Sequence, residues 1–175
     1  NEVKSTLMKV FTGGIRMSKN LMELLNKLHK EERHQEIIDR IESLSVEEIT
    51  NEIIGILARA YNNVDNYKKA IELLKSIENT EKNTHVWNYR IAYSYFYTDN
   101  YSKSKKYFSK AIEINPNDAD SHLFLCWIYQ ELSNKENEDF EKAIKYLNKS
   151  LEYLNIYSKL EPEKNINDDL IFSEE

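Results

Sequence analysis

The sequence predicts an all-α chain assembled from repeated helix pairs, and three observations carry that expectation. Only 3 Gly and 2 Pro occur in 175 residues, which suits long helices better than strands. Apolar and small residues recur at helical spacing, through Ile91, Ala92 and Tyr95 and again through Tyr101, Ser104, Phe108, Ala111 and Ile112. The pattern also returns at a fixed interval. Leu57, Ala58 and Tyr61 stand 34 residues before Ile91, Ala92 and Tyr95, and Leu125, Cys126 and Tyr129 stand 34 after them. Tyr67, Ala70, Leu74 and Ile77 likewise precede Tyr101, Ser104, Phe108 and Ala111 by 34. A helix pair this short cannot bury both faces alone, so its copies must stack.

The register resembles the tetratricopeptide repeat (TPR) family, whose pattern is W-x2-L-G-x2-Y, then A-x3-F, then P. The best copy keeps Ile91-Ala92, Tyr95, Ser104, Phe108, Ala111 and Pro116, with Trp87 one place early and Asn88 at the family's Trp position. The other copies lack the Trp and the final Pro. LARAYNN, from Leu57, and the tyrosine-rich repeat after it are similar to bacterial cytoplasmic TPR proteins. The resemblance implies a right-handed α-solenoid over residues 18–160. It divides into a degenerate repeat at 18–50 and clear repeats at 51–84, 85–118 and 119–160.

Residues 1–17 fall outside the repeat. Val3, Leu7 and Phe11 are four apart and allow a short helix ended by Gly13-Gly14; partly foreign chain before Met17 is the alternative. Ser18 can cap a helix through Leu21, Leu24, Leu25 and Leu28, followed by a second across Ile37, Ile38, Ile41 and Leu44. Leu25 and Ile37 stand where clear repeats have small residues, which a terminal repeat tolerates. Ser45-Val46-Glu47-Glu48 reads as a capping box opening a helix to about Asn63. Asn66 can cap a helix from Tyr67 to Glu78, Thr84 and Asp118 begin the next two first helices, and Asp139 begins a last helix that runs to Lys159 before Pro162. Phe140, Ala143, Leu147 and Ser150 lie 39 residues after Tyr101, Ser104, Phe108 and Ala111, five more than the period. The polar stretch Glu131 to Glu138 is therefore expected as an exposed excursion. Residues 161–175 form an acidic tail with one apolar run, Leu170-Ile171-Phe172: a frayed end, a linker or a docking peptide.

No motif for catalysis is visible. His29, His34, His85 and His122 lack metal-ligand spacing, and there is no H-E-x-x-H, glycine-rich phosphate loop or G-x-S-x-G, so no enzyme activity, metal or cofactor is expected. The single Cys126 rules out an internal disulfide and reads as a packing thiol. Asn100-Tyr101-Ser102 and Asn148-Lys149-Ser150 match a glycosylation pattern by chance within repeat helices. Lys103, Lys106 and Lys110, with Lys105, make a basic face on a second helix, the outer surface of a TPR array. Because the chain carries a net charge of −6, this reads as a solvated face, and no nucleic-acid partner is expected. Uncharged runs are too short to span a membrane, and a cytoplasmic location is the expectation.

The resemblance places the first helix of each repeat along a concave groove. Spacing puts Arg59, Asn62 and Asn63 there from one repeat, Tyr89, Arg90, Tyr93 and Tyr97 from the next, and Leu123, Phe124, Trp127, Gln130 and Glu131 from the third. The degenerate repeat adds Met22, Glu23, Asn26 and His29. Rings supply contact area at low entropic cost, and arginine supplies bidentate bonds to carboxylates. The expected peptide site is Asn26, Arg59, Asn62, Asn63, Tyr89, Arg90, Tyr93, Tyr97, Phe124 and Trp127, with packing on the neighbouring helix the alternative for Phe124 and Trp127. Some TPR proteins clamp a terminal carboxylate with Lys, Asn and Arg. Here Asn26 and Arg90 match, but Met22, Ile56 and Val86 hold the other places, so that clamp is not intact. The expected function is a non-catalytic module holding a protein or peptide, its carboxylate shared by Arg59 and Arg90. Asp168-Asp169-Leu170-Ile171-Phe172 is a candidate peptide. The alternatives are a self-associating scaffold whose tails fill neighbouring grooves, and a regulatory module of a larger protein.

Overall fold

Successive helix pairs close on one backbone device, and it recurs with the period of the sequence. Glu32, Asp65 and Asp99 adopt left-handed φ angles of 56°, 61° and 56°. They stand 33 and 34 residues apart. Just after each, an amide reaches back five residues: Arg33 N–H to the Leu28 carbonyl, Asn66 to Tyr61, and Asn100 to Tyr95, at 2.9, 2.8 and 2.9 Å. This 6→1 bond ends a helix without orphaning its last carbonyls. In two of the turns, Tyr67 and Tyr101 hydroxyls donate to the Asp65 and Asp99 carboxylates, and Asn66 and Asn100 cap the next helix.

The computed structural model describes residues 19–164; the expected short helix within 1–17, the Ser18 cap and the tail from 165 onward lie outside the described residues. Helix α1 covers 19–30. It is followed by α2 (His34–Glu42), a 3-10 turn (Val46–Glu48), α3 (Asn51–Asn63), α4 (Tyr67–Ser76), the one-turn α5 (Glu78–Glu81), α6 (His85–Phe96), α7 (Tyr101–Ile114), α8 (Ala119–Lys135) and α9 (Phe140–Leu160). No strand occurs among the described residues. From α2 onward each long helix packs on the next in chain order, α3 also meets α6, and α1 joins the first cluster through Leu25 and Leu28. The result is an all-α, right-handed solenoid whose core is a series of clusters. The first joins Leu25, Ile37 and Ile41 to Ile53 and Leu57, the second Ala58, Ala70 and Leu74 to Trp87 and Ile91. The third joins Ala92, Phe96 and Phe108 to Phe124, Leu125 and Ile128, and Tyr157 seals the last against Ala119 and Leu123. Ala58, Ala70, Ala92, Ser104, Ala111 and Cys126 are buried where helices approach closely, as the register requires, whereas Ala143, expected with them, is only half-buried. Leu25 and Ile37 are buried too, so the first repeat admits large side chains at these places.

The structure corrects three local expectations. The capping box at Ser45 is made, with the Ser45 amide and hydroxyl both donating to Glu48, but it opens only the 3-10 turn. Helix α3 starts later, capped by Thr50 through Ile53 N–H. The helix from Tyr67 breaks at Ile77 rather than running through Glu78, and one further turn follows.

The third correction is the largest. The stretch from Glu131 is not a loop, because α8 continues helically to Lys135, with Leu132 packed on the core. The second helix is also out of the expected register: Phe140 is 79% exposed and Leu147 47%. In α6/α7 the Ser104 hydroxyl donates to the Ala92 carbonyl, a separation of 12 residues. The corresponding contact in α8/α9 joins Cys126 to Ser150, a separation of 24. Both helices have grown, and the hairpin stays in antiparallel register along its length. Ser133 donates to the Ala143 carbonyl, Tyr129 packs on Tyr146 and Tyr153, and His122 packs on Tyr153. Helical extension keeps every backbone group paired where a longer loop would not.

Candidate functional site

The inner faces of α1, α3 and α6 enclose two adjoining clefts of about 350 and 300 Å³ that share Arg59, Val86 and Arg90. Of the ten expected site residues, Arg59, Asn62, Asn63, Tyr89, Arg90 and Tyr93 line the smaller cleft, and Asn26 lines the larger with both arginines. Met22, Ile56 and Val86, which break the carboxylate clamp, line that larger cleft as well. Tyr97 and Trp127 lie further along and meet at a separate depression.

Arg90 is positioned by the backbone of the preceding repeat. Its Nη1 donates to the Gly55 carbonyl at 2.8 Å, and a Cβ at Gly55 would lie 3.0 Å from that nitrogen. Gly55 is thus a glycine inside a helix because Arg90 crosses over it. Asn62 fixes the same junction: its amide donates to the Arg90 carbonyl and its oxygen accepts from Ser94. At 4% exposure Asn62 is a structural tie between α3 and α6, with little left to offer a ligand.

The electrostatics follow from burial. Half-buried Arg90 is pushed down to about 10, first by desolvation and then by Arg59, which desolvation also lowers. No ion pair neutralises either guanidinium among the described residues, although Glu52 lines the larger cleft. His29 and His34 stand beside them with ring centroids 5.4 Å apart. Burial lowers both imidazoles first, and Arg59 lowers both further. Asn63 Nδ2 lies 3.2 Å from His34 Nε2. The site is therefore a partly desolvated group of two cations, two neutral imidazoles and an exposed amide.

An aromatic wall adjoins it. Tyr89 and Tyr93 on α6 and Tyr97 at its C-cap stand four residues apart, with centroids 6.4 and 4.7 Å apart, and Tyr67 stacks on Tyr97 at 5.0 Å. Desolvation raises the Tyr89 and Tyr93 hydroxyls, which stay protonated donors. Phe124 backs the wall from the core side, meeting Tyr93 edge-on at 5.4 Å. It is 7% exposed and stacks on Phe108 at 4.8 Å, so it is core, as is most of Trp127, which meets it edge-on. Residue spacing did not single out His34, which arrives from α2, or Gly55. The visible signal for Gly55 was that it is the one glycine inside the repeats.

Among the described residues there is no group of three potential metal ligands, and no helix is long and apolar enough to cross a membrane. The Cys126 thiol is buried and raised by desolvation, which fits packing rather than nucleophilic attack.

Comparison with known proteins agrees with the fold. The tetratricopeptide repeat model matches residues 88–118. Three MamA structures are similar. One shares 19% identity, with a TM-score of 0.63 over 87% of this chain and 86% of that one. A second shares 16%, with a TM-score of 0.56 over 89% and 96%. A third, MamA AMB-1, shares 12%, with a TM-score of 0.59 over 99% and 100%. No curated protein matches the chain. The family match thus falls on the helix pair at 88–118, and the similarity to the solved structures extends over the fold of the described helices.

Proposed function

We propose that the groove formed by α1, α3 and α6 holds an acidic segment of another protein, and that the chain works as a non-catalytic interaction module. One observation carries this reading: Arg59 and Arg90 share a cleft, partly desolvated, with no carboxylate paired to either among the described residues. Such a pair is costly to fold around and gains most from an anion that enters the cleft. Tyr89 and Tyr93 give that segment apolar contact and hydroxyl donors, and Asn26 and Asn63 give it amide bonds at the rim. The recognised feature is an acidic side chain or terminal carboxylate next to an apolar residue. The sequence 165–175, NINDDLIFSEE, has this character and serves as a probe in cis or from a second copy.

Calorimetry tests the reading with peptide NINDDLIFSEE, and with its all-amide analogue, against wild type, Arg59→Gln and Arg90→Gln. Loss of one charge-assisted bond should cost about 1.5–3 kcal/mol of affinity. The amide analogue should bind no better to wild type than to either variant. A panel of unrelated acidic–apolar peptides separates the groove from this particular tail. Equal affinity of every peptide for all three proteins would remove the arginines as anchors.

A further inference from the structure

The face of α9 turned away from α8 is apolar and has no neighbour among the described residues. Phe140, Ile144, Leu147 and Leu151 are 79, 43, 47 and 54% exposed, and Leu154 continues the line. Their spacing of four, three, four and three residues is the seam pattern of paired helices. In the inner repeats the equivalent flank of α7 is covered by α8. The sequence beyond 164 holds one apolar run of three residues, Leu170-Ile171-Phe172, which spans roughly 10 Å when extended. The seam from Phe140 to Leu154 runs roughly 21 Å along the helix, so that run covers about half of it.

Charge settles what fits. Glu141 and Lys159 are exposed on the open flank of the seam and ion-pair with nothing among the described residues. They are 18 residues apart, five helical turns, so both point the same way from opposite ends of the seam. Between them that flank carries Asn148, Asn155 and Glu152, and Glu152 is already ion-paired to Lys149. A second α9 laid antiparallel, with the two-fold axis near residues 149 and 150, sets Leu147 against Leu151 and Ile144 against Leu154. It also brings each Glu141 to the partner's Lys159. A parallel pairing would put the two Glu141 residues on opposite sides of the seam at one end, with both Lys159 residues five turns away, and would make neither ion pair. We infer that α9 is a dimerisation helix and that two chains join through it, their α8/α9 hairpins forming an antiparallel four-helix bundle. The grooves remain open in this dimer, so it is independent of the peptide reading.

Sedimentation equilibrium of the full chain up to about 100 μM, with thermal unfolding alongside, tests this. Wild type should be a dimer at the upper end. Leu147→Glu should weaken association at least about 30-fold, as for a central interface position, and leave the unfolding of the dilute monomer unchanged. Glu141→Lys and Lys159→Glu should each weaken it about threefold to tenfold, and the double swap should restore it. Leu170→Ser with Phe172→Ser, and Leu7→Ser with Phe11→Ser, should leave the dimer intact. A monomer throughout the range, or a dimer that survives Leu147→Glu, would overturn the inference. So would a dimer lost only in the tail or leader variants, or a double swap that fails to restore association.

Discussion

The hairpins α6/α7 and α8/α9 descend from one repeat pattern and solve its boundary conditions differently. The inner one turns at Asp99 in a left-handed conformation, and α4 covers one side of it and α8 the other. The outer one has no left-handed residue at its turn, reaches from Cys126 to Ser150 before the equivalent contact is made, and leaves an apolar flank uncovered. What persists between them is the close approach itself, a small residue on the first helix against a serine on the second. The chain connecting those two points varies in length by a factor of two. One helix pair of such an array can therefore lengthen without disturbing the stacking contact, and added residues extend helices before they extend loops.

The sharpest way to break this comparison is a pair of truncations at positions that sequence spacing makes equivalent. Phe108→Ala removes a fully buried ring and should cost about 3–5 kcal/mol. Leu147→Ala, 39 residues on, should change the dilute protein by no more than about 0.5 kcal/mol in chemical unfolding. Similar losses at both sites would restore the original register for α9.

A smaller effect tests the contact that the two hairpins share. Ala92→Leu and Cys126→Leu each insert a large side chain where the helices meet through Ser104 and Ser150, and each should cost about 1–3 kcal/mol by overpacking. Cys126 should also resist thiol reagents in the native protein and react at the rate of unfolding. A stable, folded Cys126→Leu protein would mean that the outer pair is loosely packed.

Gly55→Ala sharpens the comparison at the inner junction, because alanine favours the helix by up to about 1 kcal/mol while its Cβ meets Arg90 Nη1. Stability should hardly change, and affinity for acidic peptides should fall severalfold as Arg90 shifts. Unchanged peptide binding in Gly55→Ala would separate Arg90 from the ligand.

The smallest expected effect is a pH dependence with opposite signs for folding and binding. His29 and His34 are held below the ordinary 6.5 by burial and Arg59, so the unfolded chain takes up protons before the native one. Stability therefore falls as pH drops below about 6.5, and is fully present above it. A bound carboxylate favours the protonated imidazoles, so peptide affinity should rise over the same interval, and replacing both His29 and His34 by Gln should flatten both curves. Binding that weakens on acidification would remove the histidines from the site.

Much of this architecture was legible because periodicity is local: Ala58, Ala92 and Cys126 mark the same place in three repeats, and Asn66, Asn100 and Asp139 mark helix starts. The α8/α9 register was not legible, because Phe140 and Leu147 satisfy the repeat spacing as well as Tyr153 and Tyr157 fill the actual contact. Only the partner helix decides between two apolar faces on one helix. In the groove, spacing found Arg59, Arg90 and the α6 tyrosines. It could not show that Asn62 is consumed by Ser94, that Phe124 stacks into the core, or that His34 reaches in from α2, since each depends on where a neighbouring helix lies.

The groove account is tested most directly by observing the guanidinium groups themselves. The chain has five arginines, at 16, 33, 40, 59 and 90, so an Nε–Hε spectrum is sparse, and Arg33, already bonded to Glu36, serves as an internal reference. Titration with NINDDLIFSEE and with unrelated acidic–apolar peptides should move the Arg59 and Arg90 signals together. They should saturate at one peptide per chain while Arg33 stays fixed. Saturable binding by calorimetry with Arg59 and Arg90 both unmoved would contradict the account.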